Sequence, residues 1–175
     1  VIVTNWNVVY YIPVGHDYEG APKQLDRDEV LKKLKPIIEK TPLIGQHLKF
    51  DRNVLANYDI LLNAIENDTM LMSYVYDPTA TRHNLDAMAS HYLNVKTTTF
   101  EDVAGKGVKQ LTFNQIPLEK ASDYAAEDAD ITFRCYSHLK PALAKTPSLE
   151  KVLHEIELPL VPVLSDCLLY TSPSP

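Results

Sequence analysis

Short runs of β-branched and aromatic residues alternate along this chain with longer stretches of helical period, and that alternation most constrains what it can fold into. Val1 to Thr4 and Val8 to Val14 read as two strands of a hairpin that turns through Asn5-Trp6-Asn7. After a loop from Gly15 to Lys23, Asp26 or Asp28 is placed to cap a helix carrying Val30, Leu31, Leu34 and Ile37, ending near Lys40 before Pro42. Leu43-Ile44 is a short apolar piece followed by Gly45 and by a helix from about Asp51 to Tyr58. Strand, helix, strand, helix is the order of an α/β protein.

Ile65 to Thr69 reads as a further strand, leading into an apolar helix, Met70 to Tyr76, that Pro78 ends. Asn84 to Tyr92 places Leu85, Met88, Ala89 and Tyr92 on one helical face. From Thr97 to Ile116 no period is sustained, which predicts a long surface loop with short helical turns. Leu118 to Leu143 is the strongest helix, opened by Pro117, and Lys140-Pro141 is expected to kink or divide it. Another helix is expected from about Ser148, bent by Pro159 and Pro162.

A chain of 175 residues with 45% apolar content is sized for one globular domain. Its apolar runs are too short to span a bilayer and no signal peptide opens it, so the expectation is a soluble protein with no membrane partner. Cys135 and Cys167 have neither disulfide-framework nor zinc-ligand spacing, which fits the cytoplasm. A net charge of −6 argues against a broad basic face for duplex DNA. It leaves room for a small site holding a single-strand end, with divalent cations offsetting the local acid.

Tyr124 and Asp128 stand one helical turn apart, so a phenol and a carboxylate leave the same face, and Ala125, Ala126 and Ala129 allow that helix close to a sheet. The pair suits metal-assisted phosphodiester hydrolysis, the carboxylate as a ligand for a hard cation and the phenol orienting the attacking water. On spacing alone the plainer reading is a surface Asp beside a core Tyr, since pairs four residues apart are abundant. Asp51, after Leu48-Lys49-Phe50, sits where a strand-to-helix junction points a side chain at a sheet edge; its plainer reading is a helix N-cap.

Ile44-Gly45-Gln46-His47-Leu48-Lys49-Phe50-Asp51-Arg52 is similar to the second motif of the proofreading 3′-to-5′ exonuclease domain of bacterial DNA polymerase I, and Tyr124 to Asp128, continuing through Thr132, resembles the third. Asn67 to Leu71, Arg82 to Asp86, and the run from Phe100-Glu101-Asp102 through Gly105-Lys106-Gly107 to Phe113-Asn114-Gln115 look like the same family, over roughly Tyr10 to Ser165. Tyr-x-x-x-Asp alone marks only the wider DEDD superfamily; the Gly-Lys-Gly to Phe-Asn-Gln segment narrows the match. The resemblance implies a ribonuclease-H-like α/β fold, a mixed sheet flanked by helices, and removal of nucleotides from single-stranded or mismatched DNA 3′ ends with two divalent ions, Mg²⁺ or Mn²⁺. By the family pattern Asp128 ligates the tighter metal, Asp51 supports the second through water and Tyr124 holds the nucleophilic water.

The family also carries an Asp-x-Glu pair within its first apolar strand, and this chain is expected to begin at the strand after it, leaving the fold truncated and the isolated chain inactive. Asp17-Tyr18-Glu19 fits the bare pattern but follows Gly15 in a loop, where a solvated acid pair is expected. His47 stands where the family usually has Asn, with a different donor pattern.

Arg82 and Phe100, which match family positions linked to the DNA strand, lead the DNA-binding candidates, followed by His47, Arg52, Lys106 and Lys109. His83 and His138 are assigned to ordinary packing or surface roles. The expected division is an exonuclease domain over 1–146, the start of a connection to a polymerase domain of the same polypeptide over 147–166, and a tail over 167–175 that leaves the family pattern. Two other readings carry the same residues: a polymerase domain kept for structure or DNA binding after losing its acids, and a ribonuclease-D-like RNA exonuclease.

Overall fold

In the computed structural model, residues 2–5 and 8–171 are described; Val1, Trp6 and Asn7 of the expected hairpin and residues 172–175 of the expected tail lie outside them. Strand β1 (Ile2–Asn5) pairs antiparallel with β2 (Val8–Tyr10), a shorter second strand than the Val8 to Val14 run suggested. Helix α1 (Arg27–Ile38) begins where Asp26 accepts a hydrogen bond from the Glu29 amide at 3.0 Å. It holds Pro36 within it and stops two residues short of Lys40.

Strand β3 (Leu43–Gly45), helix α2 (Leu48–Ala56) and strand β4 (Ile65–Asp68) form a β-α-β unit, with β3 and β4 parallel and Gly45 opposite Asp68. Helix α3 (Thr69–Tyr76) leaves β4 directly and ends ahead of Pro78. The expected α/β class is therefore observed, with both antiparallel and parallel pairing; among the described residues the strands form two two-stranded ladders.

Helix α4 (Leu85–Met88) is capped by Asn84 and widens into a π turn over Ala89–Leu93, which Asn94 ends in a left-handed conformation. The loop that follows holds α5 (Phe100–Ala104), opened by a reciprocal Thr99–Asp102 capping box, and two 3₁₀ turns at Gly107–Lys109 and Phe113–Gln115. Helix α6 (Leu118–Ala144) runs 27 residues without a break. Pro141 does not divide it, because it lies in the last turn, where one lost amide bond leaves most of the helix ladder intact. Helix α7 (Pro147–Val152) passes through a π turn at Leu153–Glu157, just before Pro159, into α8 (Leu158–Thr171).

Alpha-6 organises the rest. Ile131, Cys135, Leu139 and Leu143 are buried along one of its faces, and Met72 and Val75 of α3, Met88, Ala89, Leu153 and Leu158 join that stripe in the main core. A smaller cluster, Ala104, Ile116 and Ala121 with Phe100 and Val103 against it, fastens the long loop to the start of α6. No disulfide joins Cys135 and Cys167, and no helix among the described residues is long and apolar enough to cross a membrane.

Candidate functional site

Ala121, Tyr124, Asp128, Ile131 and Cys135 follow one another at alternating intervals of three and four, so Tyr124 and Asp128 extend the buried stripe of α6 instead of facing open solvent. Both are partly buried, and the Tyr124 phenol and the Asp128 carboxyl perturb one another. Burial pushes the Asp128 carboxyl up to about 6; the neighbouring Tyr124 hydroxyl pulls it down, and the negative charges of Asp86 and Glu127 push it up again. The Tyr124 phenol is raised to about 12 by burial and then by Asp128, Asp86 and Glu127.

Those carboxylates are held in place by the segment that enters the long loop. Thr97, itself buried, donates to Asp86 at 2.6 Å, and the Thr98 amide donates to Glu127 at 2.9 Å. The ring of Tyr124 meets two aromatics of that loop, Phe100 at 6.2 Å edge-on and Phe113 at 6.4 Å. The DNA-binding candidate Phe100 thus stands beside Tyr124 with its other side on the Ala104–Ile116 cluster. Asp86, Phe113 and Glu127 belong to this neighbourhood but were not singled out from the sequence. Glu127 precedes Asp128 directly, whereas Asp86 and Phe113 reach the site only through tertiary folding.

Asp51 occupies a second position, in the first turn of α2 at the carboxyl end of β3. The helix starts three residues earlier than expected, so Asp51 is not its N-cap. That place falls to His47, in a left-handed conformation with φ 60° and no capping bond from its side chain. The acceptor comes from β4: the Asp68 carboxylate, 1% exposed, takes the amides of His47 (3.0 Å) and Leu48 (2.7 Å) and also that of Met70 (2.9 Å) at the start of α3. One buried carboxylate therefore anchors the starts of two helices at the ends of adjacent parallel strands. The carboxyl of Asp51 is raised by desolvation, with Asp68 adding to the rise and His47 opposing it.

Asp128 and Asp51 thus lie in different electrostatic neighbourhoods, one with Asp86, Glu127 and Tyr124, the other with Asp68 and His47. Among the described residues no three His, Cys, Asp or Glu side chains converge closely enough to hold a metal ion. The chemistry of the donors nevertheless suits a hard cation: anionic oxygens, partly buried and raised by burial and by one another. They fit such an ion as part of a ligand set.

The expected basic groups separate into two kinds. Arg82 is exposed, at the turn before Asn84, and Lys109 is exposed on the long loop. Lys106 is also exposed and pairs with Glu101 at 2.7 Å. Arg52 is different: 6% exposed, it donates to Ser165 at 2.5 Å and pairs with Asp166 at 2.7 Å, fastening α2 to α8. A phosphate contact from Arg52 would require breaking that attachment. His47 stacks on the exposed ring of Phe50 at 6.5 Å, and its Nδ1 is buried without a partner. Asp17 and Glu19 are exposed, in keeping with a loop acid pair.

A model of the 3′-5′ exonuclease family matches residues 4–144. The chain is similar to DNA polymerase I of Pseudomonas aeruginosa, 55% identical over 159 residues that make up 89% of this chain and 17% of that protein. It is 36% identical to DNA polymerase I of Rhizobium leguminosarum over 165 residues, 89% of this chain and 16% of the relative. A DNA polymerase of Escherichia phage T5 is 29% identical over 102 residues, 53% of this chain and 12% of that one. The chain therefore spans about a sixth of the curated relatives it matches.

Proposed function

Since this chain belongs to the 3′-5′ exonuclease family of DNA polymerase I, we propose that it removes nucleotides one at a time from single-stranded or mismatched DNA 3′ ends, as the proofreading unit of a polymerase polypeptide. The observation that most supports this reading is the Tyr124–Asp128 pair, one turn apart on the buried stripe of α6 with the carboxylates of Asp86 and Glu127 near it.

In this proposal Asp128 and Asp51 would hold two divalent ions, Mg²⁺ or Mn²⁺. When bound, these supply positive charge to the scissile phosphate and to the attacking and departing oxygens. Tyr124, with a phenol raised to about 12, stays protonated at neutral pH; it orients the attacking water by hydrogen bonding and does not serve as the base. Phe100 stacks against the terminal base, while Arg82, Lys106 and Lys109 meet phosphates and His47 lies near the terminal nucleotide. Arg52 is left out of that set because of its attachment to α8.

The 175 residues contain a single Asp-x-Glu, at Asp17 and Glu19, and both are exposed loop acids. By itself the chain is expected to have negligible nuclease activity. Purified chain and a longer polypeptide carrying an Asp-x-Glu strand ahead of β1 are to be given 5′-labelled DNA and RNA oligonucleotides with Mg²⁺. The expected result is 3′ shortening of DNA by the longer protein only, abolished by Asp128→Ala. Preference for RNA, or shortening that survives Asp128→Ala, contradicts the proposal.

A further inference from the structure

The segment that carries the Asp17-Tyr18-Glu19 motif is docked on the start of α6, and it is held there by specific bonds. His16 is 8% exposed and uses both ring nitrogens: Nδ1 lies 3.1 Å from the Ile116 carbonyl and Nε2 2.5 Å from the Tyr11 hydroxyl. A carbonyl can only accept, so Nδ1 carries a proton, and in the neutral ring Nε2 accepts from Tyr11. The backbone of His16 is clasped as well: its amide donates to Gln24 Oε1 and its carbonyl accepts from Gln24 Nε2, both at 2.7 Å.

Two neighbouring residues complete the contact. The Asp17 amide donates to the Asn114 carbonyl at 2.8 Å, and the Tyr18 hydroxyl accepts from the Leu118 amide at 3.1 Å. Leu118 is the first residue of α6, where Pro117 offers no side-chain cap, so Tyr18 supplies from outside an acceptor that the helix start lacks. Three consecutive residues thus grip the Asn114–Leu118 segment at three points about 100 residues away in sequence.

What they grip leads to the site. The ring of His16 lies 5.9 Å from Phe113, and Phe113 in turn lies 6.4 Å from Tyr124. Tyr124 is less than two turns from the end of α6 that Tyr18 holds. We propose that His16 and Tyr18 are positioning residues for Tyr124, the first through Phe113 and the second through the start of α6. The proposal rests on the reading of Tyr124 as the water-orienting group, and it gives the Asp-x-Glu look-alike a role in which its backbone and its tyrosine matter and its carboxylates do not.

The test uses the 175-residue chain with 3-fluorotyrosine placed at position 124, read by ¹⁹F NMR, with urea denaturation to establish that each variant is folded. His16→Phe keeps a ring but loses both nitrogens; it is expected to shift and broaden the Tyr124 resonance. His16→Asn keeps a donor in the place of Nδ1 and is expected to move it back toward the wild-type position. Phe113→Leu should reproduce the His16→Phe signature. Tyr18→Phe should speed exchange of the Leu118 amide by about fivefold, the loss of one net hydrogen bond.

If the Tyr124 signal stays in place in folded His16→Phe and Phe113→Leu, the route through Phe113 is wrong. Unchanged Leu118 exchange in Tyr18→Phe overturns the route through the helix start. These readouts need no nuclease activity, so failure of the water-orienting role would register separately, as full DNA shortening by a Tyr124→Phe version of the longer polypeptide.

Discussion

Replacing Asp128 by Asn should make the metal-free protein more stable at pH 8 while leaving its stability near pH 4 almost unchanged. The carboxyl of Asp128 is raised from 3.8 to about 6, chiefly by burial, so the folded protein binds the proton more tightly than the unfolded chain. The stability tied to that proton is fully present below pH 3.8 and is lost as pH rises through about 6. At roughly 1.4 kcal/mol per unit the shift amounts to about 3 kcal/mol, and screening by water at a partly buried group sets the expected effect between about 1 and 3 kcal/mol. Asn has nearly the size and shape of Asp and carries no charge, so it removes the cost of ionisation while filling the same space. The assay is urea denaturation of both proteins in EDTA, at intervals from pH 4 to pH 8. A gap that opens across pH 4 to 6 supports the reasoning. Equal stability at pH 8, or a less stable variant there, refutes it.

Asp68→Ala leaves the buried amides of His47, Leu48 and Met70 without their acceptor and should cost about 3 kcal/mol or more in the same denaturation assay; a loss under about 1 kcal/mol would contradict the double-anchor role. Arg52→Ala should lower stability by about 2 kcal/mol and leave the affinity for a fluorescent single-stranded oligonucleotide unchanged, whereas Arg82→Ala should weaken that affinity at little cost in stability. Anisotropy titrations beside melts separate the two arginines, and a reversed pattern would exchange their roles. His47→Asn should be neutral or stabilising by up to about 1 kcal/mol, because Asn tolerates the left-handed backbone better and the partnerless Nδ1 disappears. A clear loss of stability in that variant would show that the imidazole is needed.

Much of the architecture could be read from local pattern. The Asp26 cap and the helices that begin after Asn84 and Pro117 carry their signals within a few residues, and each stands where the pattern places it. The start of α2, three residues earlier than the local pattern suggests, depends on a cap that is not local. The acceptor that allows the helix to begin at Leu48 is the Asp68 carboxylate, twenty residues away and adjacent only after β4 pairs with β3. Pro141 misled in the other direction, since a proline in a last turn removes too little to divide a helix fastened by a buried stripe.

The sequence by itself determined the candidate chemistry: a phenol and a carboxylate one turn apart on an Ala-rich helix, a second carboxylate after a strand, and motifs that identify the exonuclease family. Helical spacing is a property of the chain, so the Tyr124–Asp128 pair had to share a face. Only the tertiary structure decided which face that was, what surrounds it and which arginine is spent on packing. Asp86, Phe113 and His16 come to the neighbourhood of Tyr124 from separate segments, and Arg52 meets its partners more than 110 residues away. Burial and proximity between distant segments, which raise Asp128 and hold Tyr124 in place, exist only once the core has closed around α6.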